Sequence, residues 1–157
     1  MSGEVHRLRR YAAADEAAAI DLWRRTWQIA YPTIDFTQRL AWWRERWRGE
    51  LVPTTMITLA ERDGRMLGFV TVDPRNGYLD QIVVAPEEWG TPLAGALIAE
   101  AKRCAPTGLD LTVNQDNARA IRFYEKQGFV VSGADVNPRS GAPVHRMSWR
   151  PDKSSEQ

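Results

Sequence analysis

Hydrophobic residues recur at helical spacing in the first third of the chain. Trp23, Trp27 and Tyr31 lie four residues apart, so they share one face and predict an amphipathic helix. Asp35 has a glutamine three residues later, which is the spacing of a capping box and predicts the start of a second helix. A short basic and apolar segment over residues 6–11 precedes both helices and predicts a first strand.

From residue 56 onwards the hydrophobic period shortens to that of strands. Two apolar runs, residues 56–61 and 66–72, flank Asp63 and Gly64, and this pairing is a strong hairpin signal. A second turn, rich in Pro, Asn and Gly, predicts another antiparallel strand over residues 79–85. The full order is strand, two helices, three antiparallel strands, helix, strand, helix and two strands, which indicates a mixed α/β sheet covered by helices.

Two strand-to-helix junctions follow in the second half. Residues 79–85 lead through Gly90 and Pro92 into a helix, and residues 109–114 lead into a helix over residues 114–128. A sharp turn into a helix presents unpaired backbone N–H groups, which attract an anion and often a phosphate. An ordinary structural junction has the same pattern, so the turn alone does not identify a site.

The last predicted helix carries two polar groups on one face. Asn117, Ile121 and Tyr124 share that face, and Asn117 and Tyr124 are separated by roughly 10 Å along the axis. An amide and a phenol on an apolar stripe suit an elongated ligand. The alternative is that Asn117 starts the helix and Tyr124 is a core aromatic.

Composition narrows the class of protein. The 157 residues are 43% hydrophobic with a net charge of +1, which predicts one globular domain and gives no reason to expect nucleic acid as a partner. One cysteine and two histidines make an internal disulfide impossible and a metal site unexpected. No apolar run is long enough for a membrane span and the N-terminus does not look like a secretory signal, so we expect a cytoplasmic protein without membrane partners.

The segment LTVNQDNARAIRFYEKQGF, residues 111–129, resembles the most recognisable part of the GNAT superfamily of acyl-CoA-dependent N-acyltransferases. The matching positions are Val113, Asn114, Asn117, Ala120, Ile121, Phe123, Tyr124, Glu125, Gly128 and Phe129. The order of elements fits from about His6 to Trp149. The resemblance implies an α/β GNAT fold: a mixed, mostly antiparallel sheet of six to seven strands with a splay between the fourth and fifth, flanked by four helices. It implies one acetyltransferase domain over residues 1–151, and we expect residues 152–157 to be a disordered tail.

The resemblance also implies acetyl-CoA as co-substrate, bound between strands 79–85 and 109–114. The implied cofactor-binding residues are Ile82, Val83, Val84, Trp89, Gly90, Thr91, Pro92, Leu93, Ala94, Asn117 and Tyr124. A backbone N–H of the first strand would polarise the thioester carbonyl, and the pyrophosphate would lie on the turn before the helix. Asn117 would contact the pantetheine arm, and Tyr124 would protonate the departing thiolate. No separate acyl carrier is implied, so acetyl would pass directly to a primary amine in a ternary complex.

The sequence departs from the family pattern at the pyrophosphate turn. Trp89 stands where a Gln or Arg is usual, and Pro92 replaces a Gly and has no N–H to donate. The other residues of the turn retain their N–H groups, so we expect coenzyme A binding to survive. The alternative that these departures support is a non-catalytic GNAT-fold module that binds CoA or a partner protein.

The general base is open at the level of sequence. The position that carries Glu in many family members aligns with Tyr78, while Asp80 lies two residues further along the strand. Strict alternation would place Asp80 on the same face as Ile82 and Val84, and we take it as the first candidate for the base. Glu61, Tyr78 and His145 are the alternatives, as is proton loss to solvent.

Tryptophan is concentrated in the first two helices. Either these rings pack the helices on the sheet, or Trp27, Tyr31, Trp42 and Trp43 line an acceptor pocket for an apolar, aromatic or cationic amine. Arg139, in the last hairpin loop, could contact an acceptor carboxylate. We therefore expect a small-molecule or peptide amine as the acceptor, and the resemblance leaves a homodimer open.

Overall fold

The computed structural model describes residues 6–151, and these residues contain one seven-stranded sheet. The strands are β1 Arg7–Arg10, β2 Met56–Arg62, β3 Arg65–Asp73, β4 Tyr78–Val84, β5 Leu109–Asn114, β6 Val130–Val136 and β7 Pro143–Trp149. Their order across the sheet is β1-β2-β3-β4-β5-β7-β6. All neighbouring pairs are antiparallel except β4 and β5, which are parallel.

Within residues 6–151, five α-helices flank the sheet, and two of them belong to one continuous segment. The helices are α1 Glu16–Ala30, α2 Leu40–Arg46, α3 Val52–Thr54, α4 Leu93–Cys104 and α5 Ala118–Lys126. A π-helical stretch, Trp47–Leu51, joins α2 to α3, so that these three pieces form one continuous segment. The observed architecture is the mixed sheet, split between its fourth and fifth strands, that the resemblance implied.

The two faces of the sheet carry separate hydrophobic clusters. On one face α4 and α5 cover a mainly aliphatic cluster that includes Leu97, Leu111 and Tyr124. On the other face α1 and α2 cover an aromatic cluster that includes Trp43 and Trp47. Side chains from β4 enter both clusters, so this central strand connects the two halves of the core.

The sequence predicted most element positions but misplaced the start of the last helix. Residues 115–116 form a turn, and α5 begins only after Asn117, whose side-chain oxygen accepts the Ala120 N–H at 3.2 Å. The hairpin at Asp63 and Gly64 is confirmed, because both residues have positive φ angles, 55° and 76°.

Two expectations reach beyond the part of the chain that the structure describes. The tail predicted for residues 152–157 lies outside it, and a single domain over residues 1–151 stays a prediction. Among the described residues, no helix has the length and apolar character needed to cross a membrane.

Candidate active site

A cleft forms where β4 and β5 part. Tyr78 and Asp110 are the one pair in register between these strands, and the Asp110 N–H donates to the Gly77 carbonyl at 2.9 Å. Beyond that pair the facing edges of the two strands are not hydrogen-bonded to each other within residues 6–151, although β3 and β7 pair with their outer edges. The edge at Ile82, Val83 and Val84 therefore faces the cleft, as the resemblance implied.

Tyr124 of α5 is a buried phenol on the α4 and α5 face of the sheet. Its ring is 9% exposed and belongs to the cluster that contains Leu111 of β5, against which Ile82 and Val84 of β4 also pack. The edge of the ring meets Phe129, with the ring centroids 5.7 Å apart. Burial raises the pKa of the Tyr124 phenol well above its usual value, so the hydroxyl stays protonated at neutral pH. No hydrogen bond to this hydroxyl is formed within the described part of the chain, which leaves its proton available for donation.

Asn117 marks the start of α5, two turns before Tyr124. Its Oδ1 caps the helix by accepting the Ala120 N–H, and this fixes the side chain at the helix end. The side-chain NH₂ group is not used by the cap. The amide and the phenol thus follow one helix face, as the spacing predicted.

The turn before α4 keeps only part of its donor set. The Thr91 N–H donates to the Glu88 carbonyl at 3.2 Å, and the Leu93 N–H to the Thr91 hydroxyl at 3.3 Å. Pro92, predicted at the first helical position, instead forms the N-cap and has no N–H. Among residues 6–151 the N–H groups of Gly90 and Ala94 have no hydrogen-bond partner, so both are available to a ligand at this turn.

Trp89 folds back on the strand that precedes it. Its Nε1 donates to the Val84 carbonyl at 2.9 Å, and the guanidinium of Arg119 lies over its ring, 4.5 Å from the centroid. The indole therefore connects the end of β4 with the first turn of α5. Arg119 was not singled out in the sequence, because a contact between positions 30 residues apart leaves no local pattern.

Asp80 is oriented differently from the sequence expectation. Thr71 of β3 pairs with Gln81 while Val72 pairs with Leu79, so Asp80 is the extra residue of a β-bulge. The bulge reverses the alternation, and Asp80 lies on the face of α2, opposite Ile82 and Val84. The prediction that it shares their face is wrong, because strict alternation holds only in an unbroken ladder.

Arg46 of α2 holds Asp80 in place. Its Nη1 lies 2.9 Å from Asp80 Oδ1, and a second bond joins the other nitrogen and oxygen of the pair. The bond with Asp80 raises the pKa of Arg46. Both side chains line a shallow pocket of about 150 Å³ at the narrow end of the cleft. The pocket is lined by Arg46, Glu50, Leu51, Thr54, Thr55, Asp73, Asn76, Tyr78 and Asp80.

The four aromatic residues predicted for the acceptor do not share one environment. Trp43 is 1% exposed and stacks on Trp23 with the ring centroids 4.5 Å apart, so it is a core residue that an acceptor cannot reach. Trp27 stacks on Tyr31, whose hydroxyl accepts a hydrogen bond from the Asn114 side chain at 3.0 Å. These two rings are partly exposed beside the end of β5.

Trp42 contacts the last hairpin loop. The guanidinium of Arg139 lies over its ring, 3.8 Å from the centroid. Arg139 is exposed and Trp42 partly exposed, so this contact spans the surface between α2 and the loop that joins β6 to β7.

His145, an alternative base, pairs in register with Val113 of β5, and its Nδ1 is buried without a partner in residues 6–151. Glu61, the other carboxylate considered, is bound by Arg7 and Arg9 on β1, far along the sheet from β5.

Comparison with known proteins identifies the family of the chain. Residues 17–129 match the model of the acetyltransferase (GNAT) family. An uncharacterized N-acetyltransferase of Mycobacterium tuberculosis is 33% identical over 134 residues, which cover 76% of this chain and 85% of that protein. The peptidyl-lysine N-acetyltransferase YiaC of Escherichia coli is 28% identical over 135 residues, which cover 84% of this chain and 88% of that protein.

A solved structure shares the fold. The PaiA N-acetyltransferase of Thermoplasma acidophilum, in complex with coenzyme A, aligns with a TM-score of 0.74 at 19% identity. The alignment covers 94% of this chain and 99% of that chain.

Proposed function

The chain belongs to the acetyltransferase (GNAT) family and is an N-acetyltransferase, and from this premise we propose that it transfers acetyl from acetyl-CoA to a primary amine by direct attack in a ternary complex. The observation that carries the proposal is the parting of β4 and β5 beyond Tyr78 and Asp110. The phenol of Tyr124, buried in a cluster to which both strands contribute, supports it. The co-substrate supplies an activated acetyl thioester, and the protein supplies position and proton transfer.

The free edge of β4 suits the pantetheine arm. A bound arm carries amide groups, and the backbone of Ile82, Val83 and Val84 offers N–H and C=O groups along an edge that β5 does not use. One of these N–H groups would donate to the thioester carbonyl, where negative charge develops as the amine attacks. The Val84 carbonyl is already bonded to Trp89, so the arm would rely on the other groups of the edge.

Tyr124 is the proposed acid. When the amine nitrogen bonds to the acetyl carbon, the carbon–sulfur bond breaks and the sulfur takes the proton of the phenol. The proton that the nitrogen loses as it becomes an amide then restores the phenol. Burial raises the pKa of Tyr124. The same apolar surroundings would raise the pKa of a thiol formed beside it, so the phenol can still give its proton to the thiolate.

Asp80 is the proposed proton acceptor for the amine, either directly or through one water. Its carboxylate lines the pocket at the narrow end of the cleft, and Arg46 fixes its plane. An amine arriving in this pocket would meet oxygen atoms that are already oriented, and its extra proton would pass to them before attack.

The proposed acceptor is a lysine-type or other primary amine, small or peptidic. The name of YiaC describes a peptidyl-lysine N-acetyltransferase, and the partly exposed rings of Trp27, Tyr31 and Trp42 suit the aliphatic stem or the charge of such an amine. The proposed location is the cytoplasm, and this part rests on the sequence expectation alone, as does a homodimer.

A thiol-release assay over a panel of amines, amino acids and lysine peptides tests the proposal, together with a calorimetric titration of CoA. We expect measurable CoA binding and acetyl-CoA turnover that depends on an added amine. Binding without turnover for any amine would refute the catalytic proposal and leave a CoA-binding module. Absence of both would refute the site itself.

A further inference from the structure

The turn before α4 lacks the polar side chain that the family pattern has at its first position. Trp89 occupies that position, and its Nε1 is committed to the Val84 carbonyl at 2.9 Å. Pro92 removes one backbone donor, and two further N–H groups of the turn are bonded internally. The turn by itself therefore offers a phosphate the N–H groups of Gly90 and Ala94 but no positively charged side chain.

Arg119 lies directly beside this turn. Its guanidinium carbon is 4.5 Å from the centroid of the Trp89 ring, so the cation lies over the face of the indole. Stacking uses the face of a guanidinium and leaves its N–H groups, which lie in the plane, free to bind a phosphate in a fork. Arg119 is an exposed residue of the first turn of α5, and within residues 6–151 no carboxylate is paired with it.

The acidic residues of the same loop are already neutralised. Glu87 is bound by Arg25 and Arg65, each at 3.1 Å, and Glu88 by Arg62 at 2.7 Å. With Arg119, four arginines surround a loop that contains two glutamates. The local charge therefore favours an anion even though the loop sequence is acidic.

We propose that Arg119, held over the Trp89 ring, is the phosphate-binding cation of the coenzyme A site in this chain. The inference rests on the proposed CoA site and adds a residue from α5 to it. A polar head at position 89 is unnecessary because the indole positions a guanidinium that supplies stronger, charge-assisted hydrogen bonds. The group bound is a phosphate of CoA, and it is either the pyrophosphate or the 3′-phosphate.

Calorimetric titration of Arg119→Ala and of the matched control Arg122→Ala tests this role. Arg122 lies three residues along the same exposed helix, with no ion pair in the described chain. We expect Arg119→Ala to raise the Kd for CoA about tenfold and to weaken its dependence on salt, because one charged phosphate contact is lost. Arg122→Ala should leave the Kd within about twofold. A thermal melt of both variants shows whether they fold like the wild type.

Truncated ligands identify the phosphate. If the loss persists with 3′-dephospho-CoA, Arg119 binds the pyrophosphate; if it vanishes, Arg119 binds the 3′-phosphate; both outcomes support the proposal. Pantetheine, which lacks every phosphate, should bind wild type and Arg119→Ala equally. Equal CoA binding by wild type, Arg119→Ala and Arg122→Ala would overturn the role of Arg119 and leave the proposed function intact. No CoA binding by the wild type would overturn both.

A substitution of Trp89 separates the effect of the ring that positions Arg119 from the effect of the Arg119 charge. Trp89→Ala keeps the guanidinium but removes the surface that orients it, and we expect weaker CoA binding than in the wild type. In the double variant with Arg119→Ala the two losses should not add, because both substitutions remove one positioned cation. Additive losses would contradict the shared role of the pair.

Discussion

The two faces of the sheet differ in the side chains that fill them, and the difference follows their proposed tasks. Under α4 and α5 the buried side chains are mostly Leu, Val, Ile and Ala, and the helices approach the strands closely. A Cβ at Gly68 of β3 would lie 2.8 Å from the Val83 carbonyl of β4 and 3.1 Å from the Leu97 side chain of α4. The backbone of β4 therefore requires a glycine here, and α4 packs close above it.

The α1 and α2 face is filled by interlocking rings instead. Trp47 meets Tyr11 and Phe69 edge to face, and its Nε1 donates to the Tyr11 hydroxyl at 3.0 Å. The face of the proposed cofactor site is thus filled by small aliphatic side chains, while the other face is filled by large rings. Rings at the edge of that face, such as Trp42, are partly exposed and belong to the proposed acceptor site.

Removing one ring should affect stability more than removing one aliphatic side chain. Trp47 and Leu97 are both 0% exposed, one in each cluster. We expect Trp47→Ala to lower the free energy of unfolding by about 4 kcal/mol and Leu97→Ala by about 3 kcal/mol, because the larger cavity loses more contacts. Urea unfolding measures both values. An equal or smaller loss for Trp47→Ala would show that the aromatic face is loosely packed.

Removing the phenol should affect chemistry without affecting binding. We expect Tyr124→Phe to lower kcat about 100-fold, because the leaving thiolate loses its proton donor, with the Kd for CoA unchanged within about twofold. Steady-state kinetics and calorimetry provide the two numbers. Tyr78→Phe is the comparison variant, since it removes another hydroxyl beside the cleft, 3.4 Å from the Thr112 hydroxyl, and tests Tyr78 as the alternative base. Equal kcat for wild type and Tyr124→Phe would refute the acid assignment.

On the opposite face, neutralising the carboxylate of the bulge should have a smaller effect. We expect Asp80→Asn to lower kcat/KM for the amine about tenfold. The effect is limited because solvent can still accept the proton that the ammonium form of the amine must lose. Glu50→Gln is the matched control, since Glu50 lines the same pocket but is 68% exposed at its side chain. If both variants behave like the wild type, solvent is the sufficient proton acceptor.

Burial of the Tyr124 phenol should also change how the free energy of unfolding depends on pH in the alkaline range. Because the folded pKa of Tyr124 is raised, its contribution is complete below the unfolded pKa of about 10 and is lost as pH rises towards the folded value. Above pH 10 the wild type should therefore lose stability faster than Tyr124→Phe, by at most ~1.4 kcal/mol per pH unit. Tyr11 and Tyr31, whose pKa values burial also raises, contribute equally to both proteins. Parallel curves from chemical denaturation would contradict the burial of the Tyr124 hydroxyl in solution.

The cofactor half of the molecule was largely predictable from sequence. Alternation, turn residues and caps defined the strands and α4, and the spacing of Asn117 and Tyr124 placed both on one helix face. These are local relations, fixed by the period of a helix or a strand, and the structure retains them. The error at the start of α5 is also local, because Asn114, Asp116 and Asn117 are all good caps and only Asn117 is used.

The acceptor half was decided by tertiary structure. The bulge at Asp80 depends on the register between β3 and β4, so alternation within β4 could not reveal that the carboxylate faces Arg46. Trp42 and Trp43 are adjacent in sequence, yet one contacts Arg139 at the surface and the other is buried under Trp23. The sequence by itself determined the fold, the family and the helix with Tyr124, because periodicity and short motifs encode neighbours along the chain. Contacts between distant segments, such as Arg119 on Trp89, arise only when helices pack, since no short-range pattern specifies which side chains then meet.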